Sequence, residues 1–360
     1  MERWLVFGMT VAALCRWPVA AEGEMPFRVV SYNVENLFDV YDDPETEDDE
    51  FLPGGVRRWT PFRYNHKLLQ IARVIIACGE WDAPALVGLC EVENDTVMTH
   101  LLTRTPLRGW PYRHVITTGH DRRGINVALL YRRDKFRYIG HASIPVVLAS
   151  KSARPTRDIL HVWGEVCSGD TLDIMVCHFP SRYGGDMSSQ TRRLSAARQL
   201  SALSDSLSLS RLNPLQIIMG DFNDEPHSHT INTIQGKVTS TAQGKALGAA
   251  RSKSQGAALD TPLTNLFNTI TPHTGSLKYH DRWSLFDHII VSRRMQTPAS
   301  SMQFVEASAR IFAQPYLLTA DDKWHGQRPQ RSYHGFKYEA GFSDHLPVIA
   351  DFIIHAVAGP

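Results

Sequence analysis

Short, continuous apolar runs that end at a polar or acidic residue recur along this 360-residue chain. The run Ala85–Cys90 ends at Glu91, and similar runs end at Asn33, His178 and Asp221. An unbroken apolar run of this length predicts a strand that is buried on both faces. Since the ligands of α/β sheets collect at the carboxyl ends of strands, we expect these polar side chains to meet in one pocket.

Helical patterns lie between the predicted strands. Thr60 and Pro61 provide an N-cap and a first-turn proline, and apolar residues at helical spacing then continue to Gly79. A second amphipathic helix is predicted over residues 188–210. Because strands and helices alternate without a long linker, we predict a single domain over residues 22–360.

The first 21 residues have the pattern of a secretory signal peptide. Met1–Arg3 carry charge, an apolar run extends from Trp4 to Cys15, and small residues follow as far as Ala21. This order is typical of a signal peptide cleaved after Ala21, so we expect a secreted or periplasmic protein. An N-terminal membrane anchor is the alternative, although the apolar run is short for a bilayer span.

Composition and cysteine spacing exclude several classes of protein. Hydrophobic residues make up 43% and charged residues 21% of the chain, as in ordinary globular proteins. The formal net charge of +1 means that any surface for binding anions must be local. Cys78, Cys90, Cys167 and Cys177 form no Cys-x-x-Cys motif, and we expect buried thiols rather than disulfides or a zinc site.

The polar residues at the predicted strand ends suit hydrolysis of a phosphate ester at a hard metal ion. Glu91 offers oxygen ligands that suit Mg²⁺, Mn²⁺ or Ca²⁺, and such an ion polarises a phosphoryl oxygen. An attacking water needs a base, and His345 is a candidate because imidazole titrates near neutral pH. Asp287 is the candidate carboxylate for orienting that imidazole, as in catalytic triads.

Further polar residues have candidate roles around the same phosphate. Asp221 and Asn223 are two residues apart and can orient water or the leaving group. His178 and Asn33 can donate hydrogen bonds to phosphate oxygens. Arg182 can hold the substrate phosphate by forked hydrogen bonds, but a solvated position in a loop explains this arginine equally well.

Six short segments, in a fixed order, carry a family resemblance that none of them carries alone. They are Ser31–Asn36, Leu89–Val92, Val176–Pro180, Gly220–Asn223, Phe286–Ile289 and Ser343–His345. Together they resemble the endonuclease/exonuclease/phosphatase superfamily, which includes DNase I-like nucleases, abasic-site endonucleases, neutral sphingomyelinases and inositol polyphosphate 5-phosphatases. The resemblance extends over residues 27–355, and the residues of the segments most resemble those of a secreted bacterial branch.

The resemblance implies a DNase I-like α/β fold, a four-layer sandwich of two mixed β-sheets packed face to face with helices outside. It also implies metal ligands, for Mg²⁺ or else Mn²⁺ or Ca²⁺, at Glu91 and Asp344. Its remaining implied site residues are Asn33 beside the site, His178, Asp221, Asn223, and the acid/base pair His345 and Asp287. One departure is Cys90, which stands where the family has glutamine.

These observations predict a secreted, divalent-metal-dependent phosphodiesterase whose substrate is a phosphate ester, with a nuclease acting on nucleic acid favoured. A sphingomyelinase-like or phosphoinositide phosphatase activity is the enzymatic alternative, because it uses the same chemistry with different substrate loops. A catalytically silent binding protein is a third reading, and the intact set of site residues counts against it. We expect a monomer without a stable protein partner.

Other polar residues are expected to be ordinary surface residues, among them Glu93, His120 and His161. Three segments, 278–280, 323–325 and 331–334, interleave cations with aromatic rings. They could stack nucleobases, although such loops are also common without that role. Substrate choice is expected to depend on the loops around residues 182–192, 236–283 and 321–341.

Overall fold

The computed structural model describes most of the chain, in six ranges. These are residues 23–119, 121–148, 155–182, 186–236, 263–269 and 275–355. The predicted signal peptide, His120 and nearly all of the predicted loop at 236–260 lie outside the described residues. Of the helices within these ranges, none combines the length and the hydropathy needed to cross a bilayer.

The described ranges contain four α-helices, of which the first, second and fourth begin at a side-chain cap. They are α1 (Pro61–Gly79), α2 (Asp95–Thr103), α3 (Asp186–Ser210) and α4 (His229–Ile234), with single 3₁₀ turns at Asp49–Phe51, Pro106–Gly109, Arg293–Gln296 and Pro315–Leu317. The Thr60 side chain accepts a hydrogen bond from the Arg63 amide, and Pro61 occupies the first turn. This supplies a partner for an amide that the first helical turn leaves unpaired.

Strands form the centre of the molecule. In chain order they are β1 (Glu24–Leu37), β2 (Leu86–Val92), β3 (Tyr112–Ile116), β4 (Asn126–Arg132), β5 (Arg137–Ile144), β6 (Ile159–Glu165), β7 (Thr171–His178), β8 (Leu215–Asp221), β9 (Leu263–Asn265), β10 (Leu277–Tyr279), β11 (Arg282–Ser284), β12 (Asp287–Ser292), β13 (Met302–Phe304), β14 (Arg310–Ile311), β15 (Leu318–Ala320), β16 (Gln327–Pro329), β17 (Tyr333–His334), β18 (Lys337–Tyr338) and β19 (Val348–His355).

Two large mixed sheets contain most of these strands. The first has the order β13-β19-β1-β2-β4-β3, with β14 also paired to β19, and the second has the order β5-β6-β7-β8-β12-β9. In each sheet one central pair is parallel, β1 with β2 and β7 with β8. The pairs β10–β11, β15–β16 and β17–β18 form separate two-stranded ribbons.

The two sheets pack face to face through one apolar core. Val29 and Cys90 of the first sheet share this core with Val176 and Met219 of the second. A Cβ added at Gly88 would lie 2.7 Å from the Met219 sulfur, so glycine permits the close approach of the sheets here. Burying each large apolar side chain contributes about 1.5–3 kcal/mol, which makes this interface a main source of stability.

Helices cover the outer face of each sheet. Leu68 and Ile71 of α1 pack against outward-facing residues of the first sheet, including Val30. Ala197 and Leu200 of α3 pack on the second sheet. Along β1, Val29 faces the inter-sheet core while Val30 faces α1, because successive side chains of a strand alternate in direction. The predicted four-layer α/β sandwich is therefore confirmed.

Three predictions for single residues are wrong. Glu93 is 5% exposed and accepts a 2.6 Å hydrogen bond from the Asp39 amide, so it is not a surface residue. His161 is 6% exposed and lies 2.9 Å from an oxygen of Asp173. The four described cysteines are free thiols, as expected, but Cys167 is exposed rather than buried.

Polar strand ends from both sheets meet at one edge of the molecule. The parallel strands β1, β2, β7 and β8 end there, and the antiparallel strands β12 and β19 begin there. In the second sheet Asp221 is paired in register with both His178 and Asp287. Sheet register therefore places two carboxylates and an imidazole side by side on adjacent strands.

Candidate active site

A buried histidine–carboxylate pair lies at the centre of this edge. Nδ1 of His345 is 2.7 Å from Oδ2 of Asp287, and both side chains are buried. The turn before β19 is held in place because Ser343 Oγ donates to the Asn33 carbonyl and accepts from the His345 amide. Burial lowers the pKa of His345, but Asp287 and Asp221 outweigh it and raise that pKa well above its usual value.

Asp221 faces this pair from β8. Its Oδ2 lies 3.7 Å from Nε2 of His345 and accepts a 3.1 Å hydrogen bond from the Asn33 amide group. Burial, with the neighbouring Asp287, raises the pKa of Asp221 to about 7, although the charge of His345 opposes the shift. The charges of Asp221 and His345 therefore influence each other's protonation across 3.7 Å.

Asn223 follows Asp221 in a tight turn. Its backbone N–H donates to Oδ1 of Asp221 at 2.9 Å, and its side-chain amide donates to the Phe179 carbonyl at 3.1 Å. Gly220, just before the turn, has φ = 140°, and a Cβ added there would lie 1.9 Å from the Cys177 carbonyl oxygen. Glycine is therefore required where β7 and β8 approach each other behind the site.

His178 lies between Asp221 and Glu91. Its Nε2 is 3.6 Å from Oδ2 of Asp221 and 3.9 Å from Oε1 of Glu91. Its Nδ1 is buried and has no hydrogen-bond partner among the described residues. Burial, aided by the nearby charge of Arg157, lowers the pKa of His178 well below its usual value, so this imidazole is neutral.

Four non-glycine residues around the site have left-handed backbone conformations. They are Glu35 (φ = 53°), Asn36 (49°), Glu91 (64°) and Asn223 (51°). Such conformations cost about 1–3 kcal/mol each and persist only where surrounding contacts support them. Here the Asn36 amide donates to Glu91 and the Asn223 amide donates to Asp221. Each sharp turn thus directs a backbone N–H toward a site carboxylate.

Glu91 and Asp344, the predicted metal ligands, each have one carboxylate oxygen in a hydrogen bond. Oε2 of Glu91 accepts the Asn36 amide at 2.9 Å, and Oδ2 of Asp344 accepts from Arg331 at 2.9 Å. The second oxygen of each carboxylate has no hydrogen bond to another residue in the described ranges. Both side chains remain partly accessible, 14% and 24% exposed. Hard oxygen donors with one uncommitted atom each fit Mg²⁺ or a similar ion.

A buried charge network supports this corner, and sequence reasoning missed it. Arg331 donates to Glu35 and to Asp344, each at 2.9 Å. Lys67, 2% exposed, lies 3.7 Å from Glu35 and donates to Ser332 at 2.6 Å. Burial favours neutral Arg331, but Asp344, Glu35 and Glu91 raise its pKa above the usual value. Arg331 therefore pairs with two carboxylates, and the charge of Glu91 also favours its cationic form.

Arg182 donates hydrogen bonds to the loop that follows β8. Its Nε donates to the Asn223 carbonyl at 3.1 Å, and its Nη2 donates to Asp224 at 2.8 Å. The guanidinium also lies over the Phe286 ring, 4.7 Å from the centroid. Arg182 thus holds the loop after β8 at the edge of the site, and its predicted contact with substrate stays a prediction.

One further cluster has the spacing of metal ligands. Among the described residues, the ligand atoms of Asp221, Asp287 and His345 lie within 4.8 Å of one another. Within this cluster Nδ1 of His345 and Oδ2 of Asp287 already bind each other. The predicted acid/base roles of these residues, and the prediction that Glu91 and Asp344 hold the cation, stay predictions.

The fold and this arrangement of carboxylates and histidines define a metal-dependent phosphoester hydrolase. The chain belongs to the Endonuclease/Exonuclease/phosphatase family, whose sequence profile matches residues 28–353. No curated protein sequence shows significant similarity to the chain.

Solved structures of low sequence identity share the fold. A family protein from Bacteroides thetaiotaomicron is 16% identical with a TM-score of 0.55, and the match covers 94% of this chain and 99% of that one. A mannosyl-6-phosphatase from the same species is 15% identical with a TM-score of 0.54, covering 91% and 99%. The human Nocturnin catalytic domain is 16% identical with a TM-score of 0.50, covering 91% and 93%.

Proposed function

We propose that this chain is a secreted, Mg²⁺-dependent phosphodiesterase that cleaves nucleic acid. The observation that carries the proposal is the 2.7 Å contact of His345 with Asp287, set 3.7 Å from Asp221. An acid/base group of this kind can take a proton from water and return one to a leaving oxygen. Secretion is supported by the signal-like first 21 residues, and a mature N-terminus at Glu22 would test it.

The proposed mechanism divides the work among the chain's own residues. The Asp221–His345 pair takes the proton of the attacking water, and Asp287 holds the imidazole by its Nδ1. In this mechanism neutral His178 and the Asn33 amide donate hydrogen bonds to phosphoryl oxygens. Glu91 and Asp344 would hold the cation, which, when bound, polarises the phosphoryl oxygen and offsets charge in the transition state.

Hydrolysis of bis(4-nitrophenyl) phosphate tests the site independently of any natural substrate. We expect turnover with Mg²⁺ and loss of most turnover in Glu91→Ala and His345→Ala. Matched surface variants, Glu45→Ala and His334→Ala, should keep the wild-type rate. If the two site variants also keep it, the proposed site is wrong.

A substrate panel tests the nuclease assignment. It should contain single-stranded DNA, plasmid DNA, RNA, sphingomyelin and inositol phosphates. Mannose 6-phosphate belongs in the panel because one structure with this fold is a mannosyl-6-phosphatase. The highest kcat/KM on nucleic acid would support the proposal, whereas preference for a lipid or a sugar phosphate would reassign the enzyme within its family.

A further inference from the structure

Two small ribbons, β10–β11 and β15–β16, lie beside the acid/base group. Leu277 of β10 forms an antiparallel bridge with His345 itself, so the first ribbon starts at the catalytic edge. The ribbon then extends away from the site through Tyr279 and turns at His280. Two residues of strand cover about 7 Å, which places Tyr279 roughly that far along the strand from the bridge.

Three aromatic rings from the two ribbons form a stacked column. The Tyr279 and His280 ring centroids are 4.1 Å apart, and those of His280 and Trp324 are 4.3 Å apart. The interplanar angles are 25° and 32°, so the Tyr279 and His280 rings are stacked and the Trp324 ring is tilted against His280. Tyr279 is 70% exposed, and Trp324 is 36% exposed. Tyr279, at one end of the column, is therefore largely accessible from solvent.

Polar contacts between the ribbons hold the column in place. Lys278, whose side chain is 3% exposed, donates to Asp321 at 2.9 Å and to the His325 carbonyl at 2.6 Å. Asp321 also accepts from the Trp324 amide at 3.1 Å. Because these contacts form on folding, a ligand that stacks on the rings does not have to order them.

Cationic side chains flank the column. Nζ of Lys323 lies 5.3 Å from the centroid of the Trp324 ring. The Arg282 side chain, on β11, is 74% exposed and lies 3.6 Å from Glu225. The acidic residues Asp281 and Asp322 are exposed nearby, so the local charge is mixed. Recognition here would depend on stacking first and on phosphate contacts second.

We propose that Tyr279, His280 and Trp324 form a base-stacking platform for single-stranded nucleic acid next to the scissile phosphate. The inference rests on the proposed function, because it names the substrate of the same site. Successive stacked nucleotides rise by about 3.4 Å, so a base one or two positions from the scissile phosphate reaches Tyr279. Every base has a π-face, and such a platform binds single strands with little sequence preference.

The test compares Tyr279→Ala and Trp324→Ala with matched exposed aromatics, Tyr41→Ala and Trp81→Ala. Tyr41 is 71% exposed and Trp81 is 92% exposed. Rates are measured on a ten-residue oligothymidylate and on bis(4-nitrophenyl) phosphate, which has no neighbouring nucleotides to stack along the column. Binding of the labelled oligonucleotide is measured separately in the inactive His345→Ala background.

We expect kcat/KM on the oligonucleotide to fall about 5- to 150-fold in each platform variant, mainly through KM. Oligonucleotide binding should weaken by the same factor. Rates of the platform variants on the small diester should stay within about twofold of wild type. Tyr279→Phe should cleave the oligonucleotide as the wild type does, because it keeps the aromatic ring. The Tyr41 and Trp81 variants should behave as wild type.

Other outcomes overturn the platform without affecting the site proposal. Platform variants that cleave and bind the oligonucleotide as well as the matched variants do would overturn it, and so would equal losses on both substrates. The rings would be assigned to a sugar instead if the wild type binds no oligonucleotide but hydrolyses mannose 6-phosphate, and if Tyr279→Ala lowers that rate. Failure of the proposed function would appear differently, as absence of Mg²⁺-dependent hydrolysis of the small diester by the wild type.

Discussion

Replacing Asp287 with asparagine tests the acid/base pair with little change in shape. The carboxylate is fully buried, and its Oδ2 lies 2.7 Å from Nδ1 of His345. Asparagine keeps the volume but removes the charge that the imidazolium faces. A hydrogen bond to a charged group contributes about 1.5–3 kcal/mol, which corresponds to about 10- to 150-fold in rate. Complete loss of acid/base catalysis would cost about 10²- to 10⁴-fold. We therefore expect kcat to fall by about 10²- to 10³-fold.

The pH dependence of the Asp287→Asn variant provides a second readout. Burial favours neutral His345, and Asp287 is the largest influence that raises its pKa. Without this charge the pKa of His345 falls, so the imidazole loses its proton at lower pH. We expect the limb of the pH–rate profile that reports this group to move toward acid. A purely structural role for Asp287 would lower the rate without moving the limb.

The assay is hydrolysis of bis(4-nitrophenyl) phosphate at saturating Mg²⁺ between pH 5 and pH 10. Asp322→Asn is the matched control, because it makes the same change at an exposed position. Urea unfolding at neutral pH checks that Asp287→Asn remains folded, since a buried neutral amide can still bond to a neutral imidazole. A folded variant with wild-type kcat and an unmoved profile would refute the assignment.

Three further predictions concern backbone, pH and metal. Gly220→Ala should lower the unfolding free energy by about 3 kcal/mol, because the new Cβ would lie 1.9 Å from a carbonyl oxygen of β7. In the same urea-unfolding experiment Gly54→Ala should have no effect, because a Cβ there has no atom within 4 Å. Burial opposes the charge on Asp173, but Arg211 holds its pKa below the usual value of about 3.9. Its carboxylate therefore contributes stability above pH 4, and this contribution is lost as pH falls through the lower folded-state pKa. Asp173→Asn should be about 1–3 kcal/mol less stable than the wild type at pH 7, and the difference in unfolding free energy should be smaller at pH 3. EDTA should abolish turnover, and added Mg²⁺ should raise the Tm of the wild type but not that of Glu91→Ala. An equal rise in Tm for both proteins would show that Glu91 is not a metal ligand.

Much of the fold could be predicted because its signals are local. The cap at Thr60 and Pro61 predicts the start of α1, and the continuous run Ala85–Cys90 predicts β2. Strand limits were less accurate. The first strand was predicted to end at Asn33 but continues to Leu37, and its register with β2 shifts where Glu35 and Asn36 are left-handed. Backbone conformations of this kind have no periodic signal.

The surroundings of the site could not be predicted in the same way. Glu35 and Arg331 are 296 residues apart, and neither position has a pattern that indicates a partner. The expectation that Glu93 is exposed failed for a related reason, since its burial depends on the Asp39 amide supplied by a distant loop. Charges and amides of this kind are paired by packing, and their pairing is absent from local sequence.

The sequence by itself determined the layered fold, the family and the residue types available for phosphate chemistry. Apolar runs and caps act over a few residues, and ordered motifs can be read without knowing how they meet. Only the tertiary structure decided which of those residues act together, because register and packing set the distances among Asp221, Asp287 and His345. It also brought Tyr279 and Trp324 into one column from ribbons that are separate in sequence, since stacking depends on distance and angle rather than on residue type alone.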